Sequence, residues 1–294
     1  MTSIVGFIAL AKSKSECNIG DYFASPLRYL PFDNRQIAIY DLDALGNEEN
    51  DLLKNLDPQS HVIIGGGALL YRYVVKEFDR KRERLMLRVL NYFKGVKIIW
   101  GCGLLLELKV HPEIYDKCDL IGIRDHFDPD PNFPKVRYVP CASCLAPEFD
   151  EVLNMKQVPK TPIKLYGCTK KNRAFGRDTL KLYKLLRNRG TDLLGALSWL
   201  NSANRIATNS YHGYYWCKLL GQTVTPHPNP IKNFDNLSIA EKRDRAIYAK
   251  EFVLIRKIAG LNLPEHDALS YARSLNMEFY REVLNLMEMG EKSN

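Results

Sequence analysis

Apolar residues in this chain fall into short runs closed by glycine or polar turns, separated by stretches in which they recur at spacing three or four. Thr2 to Leu10, Gln36 to Tyr40, His61 to Ile64, Lys97 to Trp100, Leu120 to Arg124 and Val136 to Val139 each read as a buried strand. Tyr22 to Tyr29 reads as a helix opened by the Cys17 to Asp21 turn, and Asp43 to Asn55 as a loop with a short helix. Glu77 to Phe93 is a long helix with Leu85, Val89 and Phe93 at spacing four. Strands alternating with helices predict a mainly parallel sheet.

Residues 154–162 (NMKQVPKTP) carry prolines and lysines between ordered patterns and read as a linker. Beyond them the pattern restarts. Strand Ile163 to Tyr166 precedes helix Arg177 to Arg189, a short strand Asp192 to Leu194 and a strand Arg205 to Thr208. A helix with Tyr215, Trp216, Leu219 and Leu220 on one face follows, then a strand ending at Pro226 and a helical segment Ser238 to Ile258. In the last helix, Ala268 to Met289, a stripe of Leu269, Ala272, Leu275, Phe279, Val283 and Leu286 is expected to pack in a core. Membrane contact is the weaker reading, because the opposite face lacks the basic density of interfacial helices. The expected domains are 1–155, 160–262 and a C-terminal helix over 265–294, with an α/β fold of two Rossmann-like domains.

Composition narrows the class. Hydrophobic residues make up 46% and charged residues 26%, as in ordinary globular chains. No apolar run approaches the roughly 20 residues of a membrane span, and no basic n-region precedes the first run, so a cytoplasmic location is expected. Seven cysteines, an odd number, argue against a disulfide framework. A net charge of +8 favours anionic partners: nucleic acid, phosphorylated metabolites, or a membrane surface bearing a phospholipid-linked substrate. Lys76, Arg80, Lys81, Arg82, Arg84 and Arg88 crowd one helix. No interleaved aromatics or nucleic-acid motif accompany them, so a solvated face is expected and nucleic acid is not. Cys141 and Cys144 lack the second ligand pair of a structural zinc site, and no metal is expected.

The candidate chemistry gathers on TNSYHGYYWCKLLGQTVTP, residues 208–226. It places His212 at a helix start beyond a strand's carboxyl end, where open parallel sheets bind ligands. An imidazole with an ordinary pKa near 6.5 suits a general acid at neutral pH. Asn209 and Ser210 are suited either to capping the helix or to holding an anion at its N-terminus. One hydroxyl cannot do both, and residue types alone leave the choice open.

Several motifs then coincide in order: Asn18-Ile19-Gly20-Asp21, Gly65-Gly66-Gly67, Gly101-Cys102-Gly103-Leu104, Arg124-Asp125 and Ser210-Tyr211-His212-Gly213. This order resembles the polysaccharide pyruvyl transferase family over nearly the whole chain. NSYHGYYWCKLLG and VPCASCLAP look like its exopolysaccharide (succinoglycan-type) branch. The resemblance implies a GT-B-like pair of domains with the active site in the cleft between them. It also implies phosphoenolpyruvate as donor, a sugar as acceptor and a pyruvyl ketal as product, with no cofactor required. Many members carry an arginine two positions before the histidine, assigned to the donor carboxylate; here Ser210 stands there.

Within that reading His212 is the acid. Asp21 either takes a proton from the acceptor hydroxyl or is an ordinary helix-start carboxylate. Gly20, Gly65, Gly66 and Gly67 allow close backbone approach to a ligand, or only tight turns. Donor-binding candidates are Asn209, Ser210, Arg72, Arg124, Lys170, Lys171, Arg173 and Lys232, since a phosphate and a carboxylate need fixed cations. Expected partners are a sugar acceptor, with a lipid-linked oligosaccharide as one form, and a peripheral contact at the cytoplasmic face of a membrane. A sugar-nucleotide glycosyltransferase on the same fold, and a non-catalytic carbohydrate- or nucleic-acid-binding protein, are the alternatives.

Overall fold

The runs anticipated from Ile4 to Tyr138 become six parallel strands in the computed structural model. They are β1 (Ile4–Ile8), β2 (Ile37–Asp41), β3 (His61–Gly65), β4 (Lys97–Cys102), β5 (Leu120–Ile123) and β6 (Val136–Tyr138). The sheet order is β2-β1-β3-β4-β5-β6. The structure describes residues 2–8, 17–33, 35–46, 52–67, 77–103, 112–124, 132–155, 161–167, 185–226 and 263–292, with backbone alone over 77–81. The chain divides into two units, Met1–Ala146 with Ala272–Asn294, and Pro147–Tyr271.

In the first unit both sheet faces are covered, which is why its strands are continuously apolar rather than alternating. Val5, Phe7, Val62, Ile64, Ile99, Ile121 and Ile123 pack on one side with Leu85, Met86 and Val89 of α2 (Glu77–Tyr92) and with Phe93 just after it. Ile4, Ile63, Ile98, Trp100 and Leu120 pack on the other with Phe279, Tyr280, Val283 and Met287. Those last four belong to the C-terminal helix, Ala268–Lys292. Its apolar stripe is a core face, as the spacing implied. The helix is not a separate C-terminal piece, however: from Ala272 it completes the first unit, because that sheet face has no other long helix among the described residues. Asn276, buried within the stripe, pins it there. Its Oδ1 accepts from Trp100 Nε1 (2.8 Å), and its Nδ2 donates to the Pro140 carbonyl (3.2 Å).

Arg82 and Arg88 are not merely a solvated face of α2. Arg82 makes a two-point ion pair with Asp43 (3.0 and 2.6 Å), and Arg88 donates to the Leu45 carbonyl (3.1 Å). Both tie the helix to the 42–46 turn. The short helix expected at Tyr22 to Tyr29 is instead one turn, α1 (Ile19–Tyr22), and a 3-10 turn over Pro26–Arg28. The proline halts the regular helix.

The second unit begins earlier than the proline-lysine stretch suggested. A helix, Glu148–Asn154, packs there against a helix at Leu193–Asn201, with Asn201 Nδ2 donating to the Val152 carbonyl (3.5 Å). Residues 156–160 of the expected linker, and the helix expected over 238–258, lie outside the described residues. Strands β7 (Thr161–Gly167), β8 (Leu185–Arg187), β9 (Ala203–Thr208) and β10 (Thr223–Pro226) are parallel, in the order β10-β9-β7-β8. Two expectations are corrected. Leu185 to Arg187 form a strand rather than the end of a helix, because they pair with Leu165 to Gly167. Leu193 and Leu194 open a helix rather than lying in a strand, because Asp192 caps it by accepting from Gly195 N (2.8 Å). Both units are Rossmann-like: parallel sheets wound in the 2-1-3-4 sense, with β1 and β7 at the reversal points.

One titratable group in the first core carries a pH prediction. His61 is buried at the start of β3; its Nδ1 accepts from Val96 N (3.0 Å), and its Nε2 stands 3.6 Å from Glu291. That second distance is an electrostatic contact, too long for a hydrogen bond. Burial lowers the imidazole pKa below 6.5, against the upward pull of Glu291. The unfolded chain therefore binds the proton more readily than the folded one. This contribution to stability is complete above pH 6.5 and is lost as the pH falls below it. Melting temperature is expected to decline from pH 7.5 to 5.5, and less steeply in His61→Asn, whose amide oxygen can still accept from Val96. Equal slopes for the two proteins would refute this.

Candidate functional site

The turn that carries His212 sits at the reversal point of the second sheet. Strand β7 has β8 on one side and β9 on the other, so the connections leave in opposite directions and open a crevice at the carboxyl ends. Tyr166 on β7 is in register with Thr208 on β9 and with Leu186 on β8. At the strand ends stand Gly167, the last residue of β7, then Asn188 after β8, and the Asn209-Ser210 turn, which opens α6 (Tyr211–Leu219) with His212 and Gly213 in its first turn. Helices α3 (Pro112–Lys117), α4 (Glu148–Asn154) and α5 (Leu193–Asn201) precede it in the chain.

Ser210 caps α6. Its backbone is extended, and its Oγ accepts from Gly213 N (3.2 Å) and from Asn188 Nδ2 (3.0 Å), while its own N–H donates to Thr208 Oγ1 (3.0 Å). The side chain is fully buried. Both acceptor lone pairs of the hydroxyl are thus used within the fold. Of the two roles left open by the sequence, the structure shows the cap: the oxygen serves the backbone of Gly213 and the Asn188 amide, in a fully buried side chain. Asn209 beside it is half-buried. The far end of α6 closes with Gly221 in the left-handed region (φ +65), Gln222 N donating to the Cys217 carbonyl (2.8 Å) and Gly221 N to that of Lys218 (3.1 Å).

His212 is 2% exposed. Its ring packs edge-on to Tyr211 (centroids 5.3 Å) and tilted against Trp216 (5.6 Å). Gly213 follows because there is no room for more. A Cβ there would lie 2.4 Å from Tyr166 Cδ1 and 2.5 Å from Thr208 Oγ1.

In the first unit, Gly20, Asp21, Gly65, Gly66, Gly67 and Arg124 gather at the carboxyl-end rim of the sheet. Gly20 N donates to the Asn18 side chain (3.0 Å), which caps α1, and Asp21 lies in that turn. The glycine run is needed for the chain's own packing: a Cβ on Gly66 would lie 2.1 Å from that of Ala24, and one on Gly65 3.0 Å from Pro26. Gly66 and Gly67 also have positive φ (74 and 70). Close approach is thus required, and at Gly65 and Gly66 the approaching group is the 24–26 segment. Arg124, directly after β5, is buried at 2% exposure. With Asp21 it forms the charged surroundings of Cys141, whose thiol is pushed up mainly by burial, with Arg124 opposing and Asp21 adding.

Arg72, Lys170, Lys171, Arg173 and Lys232 lie outside the described residues. The Asn188 and Tyr166 side chains were not singled out by the sequence. The only cue was an asparagine after the apolar pair Leu185-Leu186, and it was hidden by reading that stretch as helix. Cysteine chemistry is disfavoured: the six described cysteines are all buried, and burial pushes the Cys118 thiol up to about 12. Among the described residues no group of three or more His, Cys, Asp or Glu could hold a metal, and no helix is long and apolar enough to cross a membrane. A surface depression of about 490 Å³ lined by Leu53, Arg84, Leu87, Arg88, Asn91 and Tyr92 lies along α2. It is on the helical layer rather than at the strand ends.

No protein-family model matches the chain, and no curated protein does. Among solved structures it is similar to an uncharacterised protein from Klebsiella pneumoniae subsp. pneumoniae: 13% identity, 85% of this chain, 88% of that one, TM-score 0.48. It is also similar to the wall teichoic acid polymerase TagF (10%, 96% and 90%, 0.39). A third is the UDP-GlcNAc 2-epimerase of Methanocaldococcus jannaschii, in complex with UDP-GlcNAc and UDP (13%, 94% and 99%, 0.40). Likeness this distant says nothing of reaction or ligand.

Proposed function

We propose that the chain is a polysaccharide pyruvyl transferase: it moves pyruvate from phosphoenolpyruvate onto two hydroxyls of a sugar in a surface polysaccharide or its lipid-linked precursor. The observation that carries this reading is the position of His212, on a capped turn at the reversal point of a parallel sheet, within a motif series resembling that family. The chemistry asks for one proton donor. Protonation of the donor's methylene carbon leaves a cation at C2, a sugar hydroxyl adds there, phosphate departs with the C2–O electrons, and the second hydroxyl closes the ketal. Each hydroxyl gives up its proton, so donor and diol yield ketal and inorganic phosphate. His212 supplies the first proton, and a site sheltered from water protects the cation from hydrolysis.

Because the Ser210 hydroxyl is engaged in the cap, the donor's carboxylate and phosphate fall to cations, for which Lys170, Lys171 and Arg173 after β7 are the candidates. The same observation keeps a second reading alive. Without an arginine at 210, a sugar-nucleotide glycosyltransferase is the rival. The acceptor partners and the membrane-face location belong to this proposal, which requires no cofactor.

Ligand-dependent melting separates the two readings. Phosphoenolpyruvate at about 100 times its Kd is expected to stabilise the full chain by about 2.7 kcal/mol, or several degrees in Tm. Stabilisation by nucleoside diphosphates or sugar nucleotides, with none by phosphoenolpyruvate, would overturn pyruvyl transfer in favour of glycosyl transfer.

A further inference from the structure

We propose that Asn188 is the positioning residue for His212, linking three neighbouring strand ends to the turn that carries the imidazole. The proposal rests on the reading of His212 as the general acid. Asn188 follows β8 directly, and its N–H donates to the Gly167 carbonyl at the end of β7 (2.7 Å). Its side-chain Oδ1 accepts from Tyr166 Oη (2.9 Å), and its Nδ2 donates to Ser210 Oγ (3.0 Å). Tyr166, Asn188 and Ser210 are all buried, at 0%, 2% and 0% exposure. In such surroundings an unmade hydrogen bond is costly, so the chain holds one geometry rather than several.

The link reaches His212 by a short path. Ser210 Oγ also accepts from Gly213 N, so the oxygen that Asn188 holds is the one that sets the first turn of α6. His212 lies between these two residues in the chain. The Tyr166 ring bears on the same turn from beneath: it meets the Gly213 position and packs edge-on against Trp216 (6.2 Å), which itself contacts the His212 ring. Removing the amide loosens the cap at the point where the imidazole is aimed. It leaves the apolar underside of α6 in place.

The test pairs histidine NMR with kinetics on the full chain, which has six histidines. The His212 ring signal is identified by its loss in His212→Gln. In Asn188→Leu it is expected to shift or broaden, since its position against the Tyr211 and Trp216 rings changes, while the other five signals stay. With phosphoenolpyruvate and acceptor, kcat is expected to fall about tenfold to a hundredfold, as for a small misplacement of a reacting group, and KM to change less than about twofold. Asn188→Asp keeps an acceptor for Tyr166 and a link to Ser210, and is expected to recover most of kcat. Tyr166→Phe, which removes only the far end of the chain of bonds, gives a smaller effect of the same kind and serves if the leucine variant does not fold. An unmoved His212 signal in the folded variants overturns the proposal, as does a moved signal with unchanged kcat. Wild-type protein that turns over no phosphoenolpyruvate overturns the proposed reaction instead, and the NMR comparison still decides the positioning role.

Discussion

Gly213→Ala is expected to destabilise the second unit by about 3 kcal/mol, the upper part of the range for overpacking a tight site. The new methyl would have to occupy space 2.4 Å from Tyr166 Cδ1 and 2.5 Å from Thr208 Oγ1, well inside van der Waals contact. Neither neighbour can retreat easily. Tyr166 is held through its hydroxyl by Asn188, and Thr208 Oγ1 accepts from Ser210 N. Helix propensity runs the other way, because alanine favours a helix by about 1 kcal/mol over glycine. A measured loss is therefore a net reading of the steric conflict. Urea denaturation of the full chain would show it as a lower midpoint for the transition that contains this unit. A midpoint at or above that of the wild type would mean that α6 can lift from the sheet at no cost, and the rigid-turn account would fail.

His212→Gln is expected to lower kcat for pyruvyl transfer by about 10² to 10⁴, the usual contribution of a positioned acid. Glutamine is preferred to alanine for a structural reason. The ring is 2% exposed and packed between Tyr211 and Trp216, so truncation to alanine would leave a cavity and lower the stability as well. Glutamine retains most of the bulk and can still form hydrogen bonds, but it cannot donate a proton near neutral pH. The informative pattern is a lost kcat with phosphoenolpyruvate binding preserved in the melting assay. Turnover within threefold of wild type would remove His212 from the reaction and leave it a packing residue of α6.

Both predictions concern one turn, and the two levels of description contributed differently to it. That the chain alternates strands and helices, and that His212 starts a helix beyond a strand, was readable from local periodicity. Buried parallel strands such as Val62-Ile63-Ile64 need apolar side chains on both faces, and helices such as Glu77–Tyr92 need them at spacing four. The stripe on the last helix was equally legible as a core face. Its destination was not, because a stripe records that a face is covered and not by which sheet. Leu185 to Arg187 were misread for a related reason: three residues pair as a strand only because β7 is beside them.

Short-range spacing and turn chemistry were therefore enough to specify the α/β class, most strand positions and the placement of the histidine turn. Tertiary structure alone decided what Ser210 does. Its hydroxyl had two chemically reasonable occupations, and the choice depended on Asn188, 22 residues earlier in the chain. The pairing of β8, β7 and β9 brings that amide to 3.0 Å from the hydroxyl in a buried site. A buried hydroxyl must satisfy the donors that surround it, and which donors those are is a property of the folded sheet.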